Sequence, residues 1–386
     1  MCIRDSPVNL GNYFWGILFV TLGTTGYTIA GGIKAVVWTD LIQATLMLGS
    51  VGFVLWYLIH HLGGLAATGD AMGGWDQLQW IQIGWDGSLP FGKALSAMLS
   101  EPYTIFAAVI GSTFLTMATH GTDQDMVQRM LTAPDPQRSR LSLILSGLAD
   151  IPIALAFLGV GILLSLYYKG PGGGTPDIPD NEIFAHFIVH DLPVGFRGLI
   201  IAGVFATMMG STSAALNALA TSFTSDFYLP YVNPSADDRT SVRAARVATL
   251  VFGLLMVGVG TLAAYSVLND PRLTIIPIAI GILGYTYGAL LGIFLLGMLT
   301  TGRGCDRMNV AAMAGGIASV LFLGKIRLPG IVDFGRWMPT WWPEIAWPWY
   351  VLIGCSATLL LAAPFRTEAM RPTCSQPEGQ GLSKNP

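Results

Sequence analysis

The sequence predicts an all-α, polytopic membrane protein with about nine transmembrane helices. Of its 386 residues 52% are hydrophobic and only 11% charged, with mean hydropathy +0.57, whereas a typical soluble domain carries roughly 25% charged residues. Nine apolar runs lie at about 13–32, 35–60, 102–121, 141–168, 196–226, 241–267, 273–300, 308–324 and 346–364, close to the roughly 20 residues that cross about 30 Å of hydrocarbon. The alternating pattern of a membrane β-barrel is absent. Each backbone group therefore finds its partner within its own helix.

Residues 1–12 are a non-membrane start, too short for a secretory signal and without its apolar core. The natural beginning of the protein is expected upstream. Residues 13–62 hold two spans joined through YTIAGGIKAVVWTDLIQ (27–43), which sets Asp40 just inside the second. A carboxylate at the centre of a span costs roughly 2.5–3.5 kcal/mol on insertion scales and asks for ion or solute handling. The competing reading is a helix-start residue favoured by the positive end of the helix dipole. Residues 63–101, with Trp75, Trp80 and Trp85, read as an external loop whose indoles lie among headgroups.

Residues 102–300 hold five further spans. The first closes on GTDQDMVQR (121–129), where Asp123, Asp125 and Arg129 form either an interfacial charge cluster or a gate. The next carries Asp150 before Ile151-Pro152, the most buried-looking charge in the chain. It either pairs with a neighbouring helix or serves the solute or a proton. Gly170-Pro171-Gly172-Gly173-Gly174 is a connection in water. In the span at 196–226, Thr207, Gly210, Ser211, Ala214, Asn217, Ala218 and Thr221 recur at spacings of three and four, hence on one face. Small residues and hydroxyls suit helix packing. They equally suit Na⁺, a hard cation that takes several oxygens, including carbonyls freed at a helix break. Residues 301–365 add peripheral helices, and the polar, proline-containing segment 366–386 reads as a disordered tail.

Twelve of the twenty basic residues, including the clusters at 129–140 and 239–246, fall on one side when the amino end is placed outside. The positive-inside rule then puts the carboxyl end in the cytoplasm, in a bacterial inner membrane. A net charge of −3 offers no basic surface for nucleic acid, and the four cysteines have neither metal-ligand nor disulfide spacing. No HExxH, GxSxG or P-loop pattern occurs, so an enzyme is not expected. His186 and His190, one helical turn apart, read as a solvated face.

Taken together, YTIAGGIKAVVWTDLIQ, GTDQDMVQR and GSTSAALNALATSFTSDFY (210–228) resemble the sodium:solute symporter family, relatives of the sodium–glucose cotransporters, over about residues 13–325. The resemblance implies a core of two inverted five-helix repeats, with solute and Na⁺ near the midplane and alternating access. The spans at 13–62 resemble the last two helices of the first repeat, 102–300 the second repeat, and the first three core helices are missing from this chain. The family's main sodium site maps onto Thr207, by its carbonyl, with Gly210 and Ser211. A further site maps onto Asp40 with Ser213. Gly210 departs by lacking a hydroxyl, and Ala214 offers no side-chain oxygen. Solute-cavity candidates are Thr116, Thr119 and Asp150; Asp150 stands where sugar carriers have a lysine and Ile280 where they have an amide, which argues against a galactose-like pocket. The implied function is inward Na⁺-coupled uptake of a small organic solute, with Na⁺ as coupling ion, no cofactor, and the lipid bilayer as surroundings. The alternative is a transporter-like solute sensor acting on a separate signalling partner.

Overall fold

The computed structural model describes residues 10–74, 81–169, 182–269, 275–328 and 332–366. Residues 1–9, Trp75, Trp80, the 170–174 turn, the side chain of Ile280 and the tail beyond 366 lie outside what is described. In chain order the helices are α1 Leu10–His61, α2 Leu65–Ala71, α3 Phe91–Ser100, α4 Ser112–Gly121, α5 Gln124–Met130, α6 Pro136–Lys169, α7 Ile183–His190, α8 Val194–Ser222, α9 Asp238–Asn269, α10 Ile275–Leu299, α11 Asp306–Leu323 and α12 Tyr350–Ala362. A two-residue antiparallel pair, β1 Arg327–Leu328 with β2 Val332–Asp333, is a small departure from the all-helical expectation.

Nine membrane-length helices are not found among the described residues. Five are long and apolar enough to cross: Leu10–His61, Pro136–Lys169, Val194–Val232, Asp238–Ser266 and Ile282–Leu299. The first, 52 residues long, is two helices joined at Gly32, whose φ of 56° and ψ of −152° are not helical. Only glycine enters that region without a steric penalty, so Gly32 divides the stretch into two helices at the boundary between the two expected spans. The run at 102–121 yields a π-helical turn, Ala107–Gly111, followed by the ten residues of α4. The runs at 308–324 and 346–364 yield α11 of 18 residues, opening on Asp306 and Arg307, and α12 of 13 residues. The segment read as an external loop, 63–101, contains α2 and α3.

The chain divides into two compact units, 1–81 with 123–278 and 82–122 with 279–386. In the first, α1 packs along α8, α9 and α6. Its core joins Val51, Val54 and Leu58 of α1 to Val160, Leu163 and Leu164 of α6, Phe187 of α7 and Ile200 of α8. Buried hydroxyls are satisfied within their own helices: Thr24, Thr25 and Thr28 each donate to the carbonyl four residues back, at 2.7–2.8 Å, which is how an apolar span tolerates them. The second unit is built on Ala107, Val320, Ile326, Ile345, Trp349 and Tyr350, and on Leu291 against Val351 and Cys355.

Candidate functional site

Asp40, Gln43 and Met47 share one face of α1, being three and four residues apart. They meet α8 at Gly210. A Cβ there would lie 2.4 Å from Gln43 Oε1 and 3.2 Å from Asp40 Oδ1, so the missing side chain is what lets both oxygens converge on the α8 backbone. Neither oxygen has a hydrogen-bond partner among the described residues, and both are buried. An unsatisfied buried acceptor costs about 1–3 kcal/mol. Two side by side make a place that a cation relieves.

A cavity of about 640 Å³ opens over this point, lined among others by Asp40, Gln43, Asp123, Asp125, Arg129, Thr207, Gly210 and Ser211. The helix α5 supplies its charged wall. Asp123 caps that helix, its Oδ1 accepting from Asp125 N–H at 3.0 Å, as a carboxylate at a helix start does. Arg129 then reaches two acids: its Nη2 lies 3.2 Å from Asp40 Oδ2 and its Nε 3.2 Å from Asp125 Oδ1. Gln128 Nε2 donates to Thr221 Oγ1 at 3.2 Å and ties α5 to the end of the α8 stripe. Burial pushes the Asp125 carboxyl above the usual carboxylate range, against the opposing pull of Arg129. The lining carries three carboxylates and one guanidinium, so the ionised cavity attracts cations.

The predicted residues separate clearly. Thr207 and Ser211 line this cavity and also a neighbouring apolar one of about 530 Å³. Thr207 Oγ1 donates to Gly203 O at 2.9 Å. Ser213 is fully buried, its hydroxyl donating to Gly210 O at 2.9 Å, and it is not among the residues lining the cavity. The helix α8 runs unbroken from Val194 to Ser222, and the chain turns π-helical only afterwards, over Phe223–Val232. Gln43 escaped the sequence reading, although an amide one helical turn beyond Asp40 in an apolar run was a visible signal. The Asp40–Arg129 pair escaped it as well.

Asp150 is not buried as expected. It is exposed on α6, because that helix buries Val160, Leu163, Leu164 and Tyr168 in its later turns and none of its residues around Pro152. Thr116 and Thr119 belong to the second unit and Asp150 to the first. Thr119 Oγ1 donates to Thr116 O at 3.2 Å and lies 3.0 Å from His120 Nδ1. The His186 and His190 rings stack at 4.2 Å, and among the described residues no three His, Cys, Asp or Glu side chains gather as metal ligands would.

Comparison with known proteins shows what the chain is similar to. The family model described as the sodium:solute symporter family matches residues 9–318. The sodium/sialic acid symporter SiaT of Proteus mirabilis is 26% identical over 325 residues, covering 82% of this chain and 60% of that protein. The sodium-dependent multivitamin transporter of Oryctolagus cuniculus is 29% identical, covering 72% of this chain and 42% of its own length. The human sodium-coupled monocarboxylate transporter 1 is 26% identical, covering 78% and 47%. The chain thus spans about half the length of these relatives. In fold it matches the solved outward-open, substrate-bound state of a Na⁺-coupled sialic acid symporter, with TM-score 0.67 at 23% identity over 90% of this chain and 65% of the other.

Proposed function

The chain belongs to the sodium:solute symporter family, and from that membership we propose that it is part of a secondary active transporter that couples inward Na⁺ movement to uptake of a small organic solute by alternating access. The single observation that carries the ion site is the pair of buried, unpartnered oxygens, Asp40 Oδ1 and Gln43 Oε1, converging over Gly210. Na⁺ takes these two oxygens, with Ser211 and the Thr207 carbonyl completing the shell along α8 and Ser213 supporting it through the Gly210 carbonyl. Gln43 stands in for the hydroxyl that Gly210 lacks.

Arg129 is the gate. With the ion absent it pairs with Asp40; with the ion bound, Asp40 turns its charge to Na⁺ and Arg129 falls back on Asp125. A ligand shifts a conformational equilibrium only through differential affinity, and this exchange of cations on one carboxylate supplies it. Several relatives are named for sialic acid or monocarboxylates, which supports a carboxylate-bearing solute. The basic clusters support an orientation with the amino end outside and the carboxyl end in the cytoplasm of a bacterial plasma membrane. The relatives are named as symporters and transporters, which supports carriage over sensing or catalysis. Radioactive-sodium binding to the purified chain tests the site: Ser211→Ala and Asp40→Asn should each weaken it, and binding that both leave unchanged overturns the assignment.

A further inference from the structure

A second feature of the first unit has no part in ion coupling. Arg239, Arg243 and Arg246 stand at i, i+4 and i+7 on α9, so they share one face. All three are exposed, and none has an ion-pair partner among the described residues. With Asp238 and Val242 they line a cleft of about 400 Å³, in which Asp238 is the opposing carboxylate. Arg243 also borders a second groove, of about 410 Å³, whose other walls include Phe223, Val247, Val251 and Phe252. A basic pocket thus runs into an apolar one across a shared arginine.

The depth along α9 fits that division. From Val247 to Tyr265 the helix carries no charge, a length of about 28 Å at 1.5 Å per residue, close to the hydrocarbon thickness. The three arginines therefore sit at headgroup level and the apolar groove just inside the acyl region. A soluble anion satisfies only the arginines. A zwitterionic lipid brings an ammonium against them. We propose that this face binds one anionic phospholipid, its phosphate held by Arg239, Arg243 and Arg246 and one acyl chain laid along Phe223, Val247 and Val251. The inference needs only that the chain is embedded in a membrane, and stands apart from the transport reading.

The test is lipid binding to the purified full chain in mild detergent by native mass spectrometry, with phosphatidylglycerol, phosphatidylcholine and soluble glycerol phosphate as probes. Phosphatidylglycerol should bind well above both others. Basic residues at a membrane surface contribute about fivefold each to anionic-lipid affinity, so Arg243→Ala should weaken binding by about that factor, and Arg243→Lys should keep most of it. Ala244→Trp, which fills the groove, should weaken the phospholipid without changing any response to glycerol phosphate. Should Arg243→Ala fail to fold, Arg239→Ala reads the same term. Equal binding of phosphatidylcholine, equal binding of glycerol phosphate, or full affinity in Ala244→Trp overturns the proposal.

Discussion

Neutralising the two members of the Asp40–Arg129 pair should move sodium affinity in opposite directions. At 3.2 Å a unit charge pair is worth about 1 kcal/mol in water and about 5 kcal/mol at an effective dielectric constant of 20. Both side chains keep a quarter to a third of their exposure, 23% for Asp40 and 32% for Arg129, so solvent screening brings the net value near the low end, about 1 kcal/mol. Arg129 therefore competes with Na⁺ for Asp40 by about fivefold, since 1.4 kcal/mol is about tenfold. Arg129→Gln should tighten sodium binding by about that factor, and Arg129→Lys should leave it near the parent. Asp40→Asn removes a charged ligand worth about 1.5–3 kcal/mol, a loss of about ten- to 150-fold. Radioactive-sodium titration of the purified variants, checked against their thermal melts, reads all three. If Arg129→Gln weakens sodium binding as Asp40→Asn does, the pair is a structural strut and the exchange mechanism fails.

Three further outcomes are expected. Gln43→Leu removes a buried oxygen that has no partner, so it should lower sodium affinity about tenfold while leaving the melting temperature unchanged or raised; parallel titration and melting check this, and a large loss of stability would contradict it. Gly210→Ser places its Cβ 2.4 Å from Gln43 Oε1 and should cost about 1–3 kcal/mol as overpacking, with most of that restored by adding Gln43→Ala; additive losses in a double-mutant cycle would refute the close contact. Burial raises the Asp125 pKa, so the folded chain holds that proton more tightly than the unfolded chain. Its contribution to stability is then full below the ordinary Asp value of about 3.9 and is lost as pH rises through the raised value. Asp125→Asn should flatten that part of the melting-temperature profile, and superimposable profiles would exclude it.

The three motifs were legible because chemistry imposes them locally. A charge in an apolar run, here Asp40, stands out through its insertion cost, and the α8 stripe follows from helical period alone. Gly31-Gly32 marks the interruption between two apolar runs, and the backbone at Gly32 leaves the helical region there. Asp150 shows the limit most plainly. Its neighbours are apolar, so it read as buried, but burial is decided by which helix covers that face.

By itself the sequence determined the membrane class, the helical content and the residue types able to hold a cation, since each follows from transfer free energy and from periods of 3.6 residues. Only the tertiary structure decided that Gln43 joins Asp40 over Gly210, and that Arg129 divides itself between Asp40 and Asp125. The contacts of Gln43 with Gly210 and of Asp40 with Arg129 join α1 to α8 and to α5 across more than eighty positions of chain. Spacing within one helix carries no information about which residue of another will lie against it.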